Sequence, residues 1–143
     1  LALGRAFQQE VLTPEHTDGA AGMIAESLQA GILTPQYLMV LLLASTVLLT
    51  QVLNNTSTAI IMTPLALQCA EIAGVGPHPF LMAVITGASL AFLSPVAHQA
   101  NVMIMGPGNY EYRDFLRVGT PLTLLLAALA SVTIPIMWPF VGA

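Results

Sequence analysis

The chain has 143 residues, a formal net charge of −4 and only 7% charged side chains, against about 25% in an ordinary soluble domain. Its mean hydropathy is +0.81, so the charge that exists is too little to keep its surface in water, and lipid is the expected solvent. Lysine is absent, no basic patch can form, and no nucleic-acid partner is expected. Cys69 stands alone in an apolar run and reads as a small packing residue. No Cys/His cluster has metal-ligand spacing and no nucleophile–base pair is visible, so an enzyme is not expected.

The charges are clumped. Arg5, Glu10, Glu15, Asp18 and Glu26 lie at the front, and long uncharged stretches follow over residues 27–70, 72–110 (His78 and His98 aside) and 118–143. Each exceeds the roughly 20 mostly apolar residues that a membrane-spanning helix needs. The opening LALGRAFQQ lacks a basic region followed by a small-residue cleavage site, so it is not a signal peptide. The chain reads as a fragment of a longer, multi-pass integral membrane protein.

Residues 1–9 look like the end of an apolar helix, and 10–18, with Pro14, His16 and three acids, like a polar loop. In 19–31, Met23, Ile24 and Leu28 recur at helical spacing with Glu26 and Gln29 opposite, which suits a short helix in the membrane interface. A connecting loop with one helical turn is the alternative. Segment 1–35 is thus expected to hold the end of a membrane helix, a polar loop and an interfacial helix.

Residues 36–53 and 59–73 are both apolar, with NNTST between them. One continuous helix over 36–73 would be about 57 Å long, against a hydrocarbon core of about 30 Å. The chain must therefore break, and Thr46, Thr50, Gln51, Asn54, Asn55, Thr56, Ser57 and Thr58 crowd around the place. A surface loop would carry charge, Gly or Pro; uncharged amides and hydroxyls suit a tip held at membrane depth. Two full spans are the alternative, but the pattern favours a re-entrant hairpin over 36–73 with its tip at 54–58. Pro64 reads as a kink in the second arm.

GVGPHP at 74–79 is a turn. Residues 80–105 form the next spanning unit, interrupted by SPVAHQAN at 94–101, where Pro95 removes a backbone donor. A final span over 118–140 ends near Trp138, an interface anchor. Arg113 and Arg117 before it vote for a cytoplasmic loop there, which would open the hairpin to the outside.

Two interruptions can meet near the midplane. At a helix break, carbonyl ends suit a bare cation such as sodium, and amide ends suit an anion. Neither cluster holds a carboxylate, which argues against a proton relay built from acids and is compatible with an anionic solute. Helix–helix hydrogen bonding or capping is the bland reading of Asn54, Asn55 and Thr56, and a simple kink that of Ser94 and Pro95. His98 is a proton carrier, a solute contact or a histidine satisfied by a backbone carbonyl.

NNTSTAIIMTPLAL resembles a signature of the divalent-anion:sodium symporters, whose hairpin tip reads Ser-Asn-Thr before an apolar run with proline. LAFLSPVAHQANVMIMGPGNYEYRDF resembles the second signature, as written in sulfate and dicarboxylate permeases of bacteria and algae. LALGRAF followed by GAAGMIA is similar to the segment before the hairpin. The resemblance covers nearly the whole chain and implies the C-terminal repeat of an all-α inverted-repeat transporter with a re-entrant hairpin and a discontinuous transmembrane helix, working as a homodimer in the plasma (inner) membrane. It implies sodium binding at Thr50, Asn54 and Ser94. The substrate-binding candidates are Asn55 and Thr56 on the tip, with Pro95, His98 and Asn101 in the second cluster. Asn54 stands where the family usually has serine, and 10–18 looks like an insertion.

The expected function is secondary active transport of a small anion (dicarboxylate, citrate or sulfate) coupled to sodium or protons, with no cofactor beyond sodium. Rival expectations are an arsenite or proton-exchanging pump of the same superfamily, or a channel or non-transporting receptor built on the fold. Ion replacement separates the first two, and saturable counterflow excludes a channel.

Overall fold

Proline at the first helical position and an uninterrupted apolar run start a helix at Pro35, since proline gives up no bond there. The structure, a computed structural model, describes residues 34–141. The end of a membrane helix, the polar loop and the interfacial helix expected over 1–35 lie outside the described residues, Thr34 and Pro35 apart. Five helices follow: α1 (Pro35–Thr50), α2 (Asn55–Ala73), α3 (His78–Ser89), α4 (Gln99–Gly108) and α5 (Tyr112–Met137). Helices are the only extended regular elements among the described residues, so the chain is all-helical there.

Helix α1 buries Leu38, Met39, Leu42, Leu43, Thr46, Val47 and Thr50, a stripe at helical spacing. Its other face is just as apolar: Leu41 is 66% and Leu48 70% exposed. The outward sides of α2 and α5 continue this with Ile60, Ile61, Leu124, Leu125 and Ile136. A helix apolar all round belongs against lipid or more protein. Among the described residues, α5 alone, with 26 residues and a mean hydropathy of 1.9 in its best window, is long and apolar enough to cross a membrane. At 1.5 Å per residue, α1 and α3 reach only about 24 and 18 Å.

Helix α3 is the centre: it packs against α1, α2 and α5. It buries Phe80, Ala83, Val84, Gly87 and Ala88, and small residues let its neighbours approach closely. Gly87 is the tightest point. A Cβ there would lie 2.9 Å from Thr46 Cβ and 3.2 Å from the Leu43 carbonyl oxygen. Thr46 is fully buried and its hydroxyl donates to Leu42 O at 2.6 Å, so it has little room to yield. At the far end, Gly76 N–H donates to Val141 O at 2.8 Å, and Phe80 meets Phe140 edge to face with ring centroids 6.1 Å apart. These contacts fix the end of α5 to the start of α3.

Two stretches of the apolar chain are not helical: residues 51–54 between α1 and α2, and residues 90–98 between α3 and α4. The second begins and ends earlier than the 94–101 cluster suggests: α3 stops at Ser89, five residues before Ser94, and Gln99–Asn101 are already in α4. The first likewise precedes the expected 54–58 tip, of which only Asn54 is non-helical. The short turn between α4 and α5 is built conventionally. Asn109 takes a left-handed conformation with φ 51° to end α4, and Glu111 and Asp114 form a reciprocal capping box to start α5.

Gly87→Ala should therefore overpack the α1–α3 contact and destabilise the protein by about 1–3 kcal/mol. Thermal unfolding of the purified full-length protein checks this: a lowered midpoint is expected, and an unchanged one would mean that α1 and α3 pack less closely than described.

Candidate functional site: two laced helix breaks

A chain that stops being helical among apolar side chains leaves backbone carbonyls and amides without their i→i−4 partners, and each must be paired. In residues 88–101, side chains replace those partners one by one. Ala88 O accepts from Thr50 Oγ1 at 2.9 Å. Leu90 O accepts from Gln51 Nε2 at 2.8 Å, and Leu93 N–H donates to Gln51 Oε1 at 3.1 Å. Pro95 cannot donate to the carbonyl four residues back, which is that of Ala91. That carbonyl accepts from Asn101 Nδ2 at 3.1 Å instead, and the same amide reaches Ser94 O at 3.3 Å.

The helix starts are served in the same way. Ser94 Oγ accepts from Val96 N–H at 3.2 Å. His98 caps α4 by accepting at Nδ1 from Ala100 N–H at 3.2 Å. Asn54 caps α2 through Oδ1, which accepts from Ser57 N–H at 2.8 Å. The capping reading of Asn54 thus holds, and His98 is satisfied by a backbone amide rather than a carbonyl.

The structure brings Thr50 and Asn55 together. Thr50 Oγ1 lies 3.3 Å from Asn55 Oδ1 as well as 2.9 Å from Ala88 O. A hydroxyl has one proton, and the shorter contact takes it. Thr50 Oγ1 of α1 is thus within reach of one neutral oxygen of α2 and one of α3, and neutral oxygens are the donor type that hard cations take. Thr50 is fully buried, Asn55 is half-buried, and Asn54 and Thr56 are exposed. Ser94 and Pro95 are buried in the second break, and His98 is exposed at its end. Asn54 is engaged in capping its own helix, and no contact joins it to Ser94. Thr58, one turn into α2, is fully buried and its hydroxyl has no partner among the described residues.

Helix α5 closes the second break from the other side. A Cβ on Gly119 would sit against the Phe92 carbonyl, 2.7 Å from its carbon and 3.1 Å from Leu93 N, so only glycine allows α5 this close. Between α4 and α5 a cavity of about 330 Å³ is lined by Phe92, Asn101, Ile104, Tyr110, Phe115 and Gly119, among others. Its wall is apolar apart from a few groups such as Asn101 and Asp114.

Sequence reading counted Gln51 among the polar crowd but gave it no role, and it makes the most long-range contacts of any side chain at the breaks. The signal was its place: a long amide in the last turn of an otherwise apolar arm, able to reach across to a neighbouring backbone. Gly119 gave no signal, because its reason lies in a segment some two dozen residues away.

Two helices joined by a polar, uncharged turn, and a third helix interrupted in apolar surroundings, define a membrane transport protein's architecture more readily than a soluble fold. Comparison with known proteins takes this further. The family described as citrate transporter matches residues 15–142. The chain is 44% identical over 88 residues to an uncharacterized transporter of Escherichia coli, covering 62% of this chain and 14% of that protein. It is 31% identical over 86 residues to sodium/sulfate cotransporter 2 of Chlamydomonas reinhardtii, covering 60% and 10%. It is 28% identical over 130 residues to sodium-dependent high-affinity dicarboxylate transporter 3 of Caenorhabditis elegans, covering 90% and 23%. The chain belongs to the citrate transporter family, within the divalent-anion:sodium symporters. It is thus an integral membrane protein, and it spans less than a quarter of the length of these curated relatives.

Asn101→Ala should free the carbonyls of Ala91 and Ser94 together, at a cost of about 1–3 kcal/mol for buried groups left unpaired. Unfolding of the full-length variant checks this. Wild-type stability would mean that the Asn101 bonds do not form.

Proposed function

We propose that this chain is the C-terminal repeat of a secondary active transporter that carries a small anion (dicarboxylate, citrate or sulfate) together with sodium or protons. One observation carries the reading: two helix breaks lie side by side in an apolar chain, laced by neutral side chains, with no carboxylate in either. The names of the relatives support it, one a sodium/sulfate cotransporter and one a sodium-dependent dicarboxylate transporter.

In this reading α1 and α2 form a re-entrant hairpin and α3 and α4 one discontinuous transmembrane helix. Thr50 Oγ1, Asn55 Oδ1 and Ala88 O supply neutral oxygens for sodium, and the unpaired Thr58 hydroxyl stands one turn away in the chain. The N-terminus of α2, with exposed Thr56 and the free amide of Asn54, offers N–H donors and a positive dipole end to the anion. The absence of fixed negative charge avoids repelling that anion. Ser94, Pro95, His98 and Asn101 shape the other wall. The remainder of the full-length protein would cover both breaks, and a homodimer would provide the frame in which the unit moves.

The test is uptake of labelled sulfate, succinate or citrate into proteoliposomes holding the full-length protein. Asn55→Ala and Thr56→Ala should each lower the initial rate by about tenfold or more, the equivalent of about 1.4 kcal/mol, a strong hydrogen bond's worth. Replacing sodium by choline should abolish uptake if sodium is the coupling ion, and leave it driven by a proton gradient if protons are. Uptake that neither substitution alters would overturn the site.

A further inference from the structure

Gln51 is set apart from the other polar residues at the breaks by the number and the sign of its contacts. Gln51 directly follows α1, and its Nε2 donates to Val47 O in the last turn of that helix and to Leu90 O in the broken segment, both at 2.8 Å. Its Oε1 accepts from Leu93 N–H at 3.1 Å. Two carbonyls face one end of the amide and one N–H faces the other, so its orientation is dictated by its partners rather than chosen. A helix continuing past Ser89 would join Leu90 O to Ser94 N–H, and Leu93 N–H to Ser89 O. The side chain takes over both lost functions and ties them to the last turn of α1.

We infer that Gln51 is the positioning residue that couples the two breaks, holding the unwound backbone of residues 90–93 in register with the hairpin turn. It does not touch the solute or the ion. It acts through the neighbouring Thr50, whose hydroxyl is bonded to Ala88 O, and through the carbonyl register that this bond requires. Successive residues at the end of α1 thus pin alternate carbonyls, Ala88 and Leu90, at the end of α3. A cation held at Thr50, Asn55 and Ala88 then reports on the placement of the whole broken segment.

The role requires amide chemistry. Leucine of similar size would leave Leu90 O and Leu93 N–H unpaired. An ionised carboxylate would still accept from Leu93 N–H, but its second oxygen would oppose two carbonyls. A protonated carboxyl restores one acceptor and one donor, and the apolar surroundings favour that form. The groups hydrogen-bonded to Gln51 are all backbone. The ionisable side chains on the elements around it are His98 in the broken segment, which bonds Ala100 N, Tyr37 on α1, Cys69 and Glu71 in the last two turns of α2, His78 at the start of α3, and Tyr112, Arg113, Asp114 and Arg117 in the first two turns of α5.

The functional arm of this inference rests on the transport reading, and the structural arm does not. The experiment uses the full-length protein with Gln51→Glu and Gln51→Leu, each compared with wild type at the same pH so that His98 and every other native group is common to both. Sulfate, succinate or citrate uptake is measured against sodium concentration, or against the proton gradient if protons couple, between about pH 8 and about pH 5.5. Hydrogen exchange at the Leu93 amide is measured in parallel, with α5 as a control for folding.

Gln51→Leu should need about tenfold more coupling ion for half-maximal uptake, with a smaller change in maximal rate. Gln51→Glu is read on Leu93 exchange, because its charge beside Thr50 would act on the cation directly. Leu93 should exchange faster than in wild type in both variants at the higher pH, and on acidification Gln51→Glu should recover toward wild type while Gln51→Leu does not. Wild-type protection of Leu93 in both variants, or a Gln51→Glu deficit that ignores pH, overturns the inference. If wild type takes up none of the three anions, the transport reading falls, while the Leu93 exchange still decides the clamp.

Discussion

The structure depends on one constraint: a backbone that stops being helical among apolar groups must have its freed carbonyls and amides paired by something else. Residues 90–98 show how this is met. Gln51, Thr50 and Asn101 serve the carbonyls of Leu90, Ala88, Ala91 and Ser94, and Gln51, Ser94 and His98 serve the amides of Leu93, Val96 and Ala100. Removal of a buried partner costs more than the net worth of the bond it made, so these few side chains matter more than their number suggests. Proline at 95 makes the arrangement obligatory, since no helix can regain the Ala91 bond through it.

The same constraint explains why the polar residues are amides and hydroxyls rather than charges. An amide carries donors and an acceptor on one short arm and can serve a carbonyl and an N–H together, as Gln51 does. A carboxylate would satisfy only donors and would bring a charge that is costly at membrane depth. In the proposed reading, neutral oxygens would hold a cation and helix ends an anion, so affinity would come from geometry. Geometry is also what a moving unit can alter. Close approach of α5 through Gly119, and of α1 to α3 through Gly87, leaves the laced segment little freedom to shift independently of the helices around it.

Much of this was legible in the sequence, unevenly. The long uncharged runs and the proline at 95 point to breaks in these regions, but the polar clusters at 54–58 and 94–101 do not bound them: the non-helical residues are 51–54 and 90–98, and Asn55–Thr58 and Gln99–Asn101 are helical. The early end of α3 at Ser89 was not legible. Leu90, Ala91, Phe92 and Leu93 do not themselves oppose helix, and beside Pro95 the partners of Leu90 and Leu93 come from Gln51, nearly forty residues earlier. The bonds of Asn101 were hidden for the same reason, although its place in the cluster was plain. The family resemblance pairs Thr50 with Asn54 and Ser94, whereas in the structure Thr50 meets Asn55 and Ala88 O. Asn54 and His98 make helix caps, a role that residue type suggests as strongly as any other.

If the two breaks form one unit, the distance between them should not respond to ligands. Val52 and Val96 are 77% and 72% exposed, one on each break, and suit spin labels attached to cysteines. With Cys69 replaced by alanine in the full-length protein in lipid, electron paramagnetic resonance reads the separation of the labels. A single narrow distribution, unchanged by adding sodium or by adding the anion, is the result the account predicts. A broad or two-peaked distribution that sharpens only when ligand is added would contradict it, showing that the breaks are assembled by the solute and not by their own side chains.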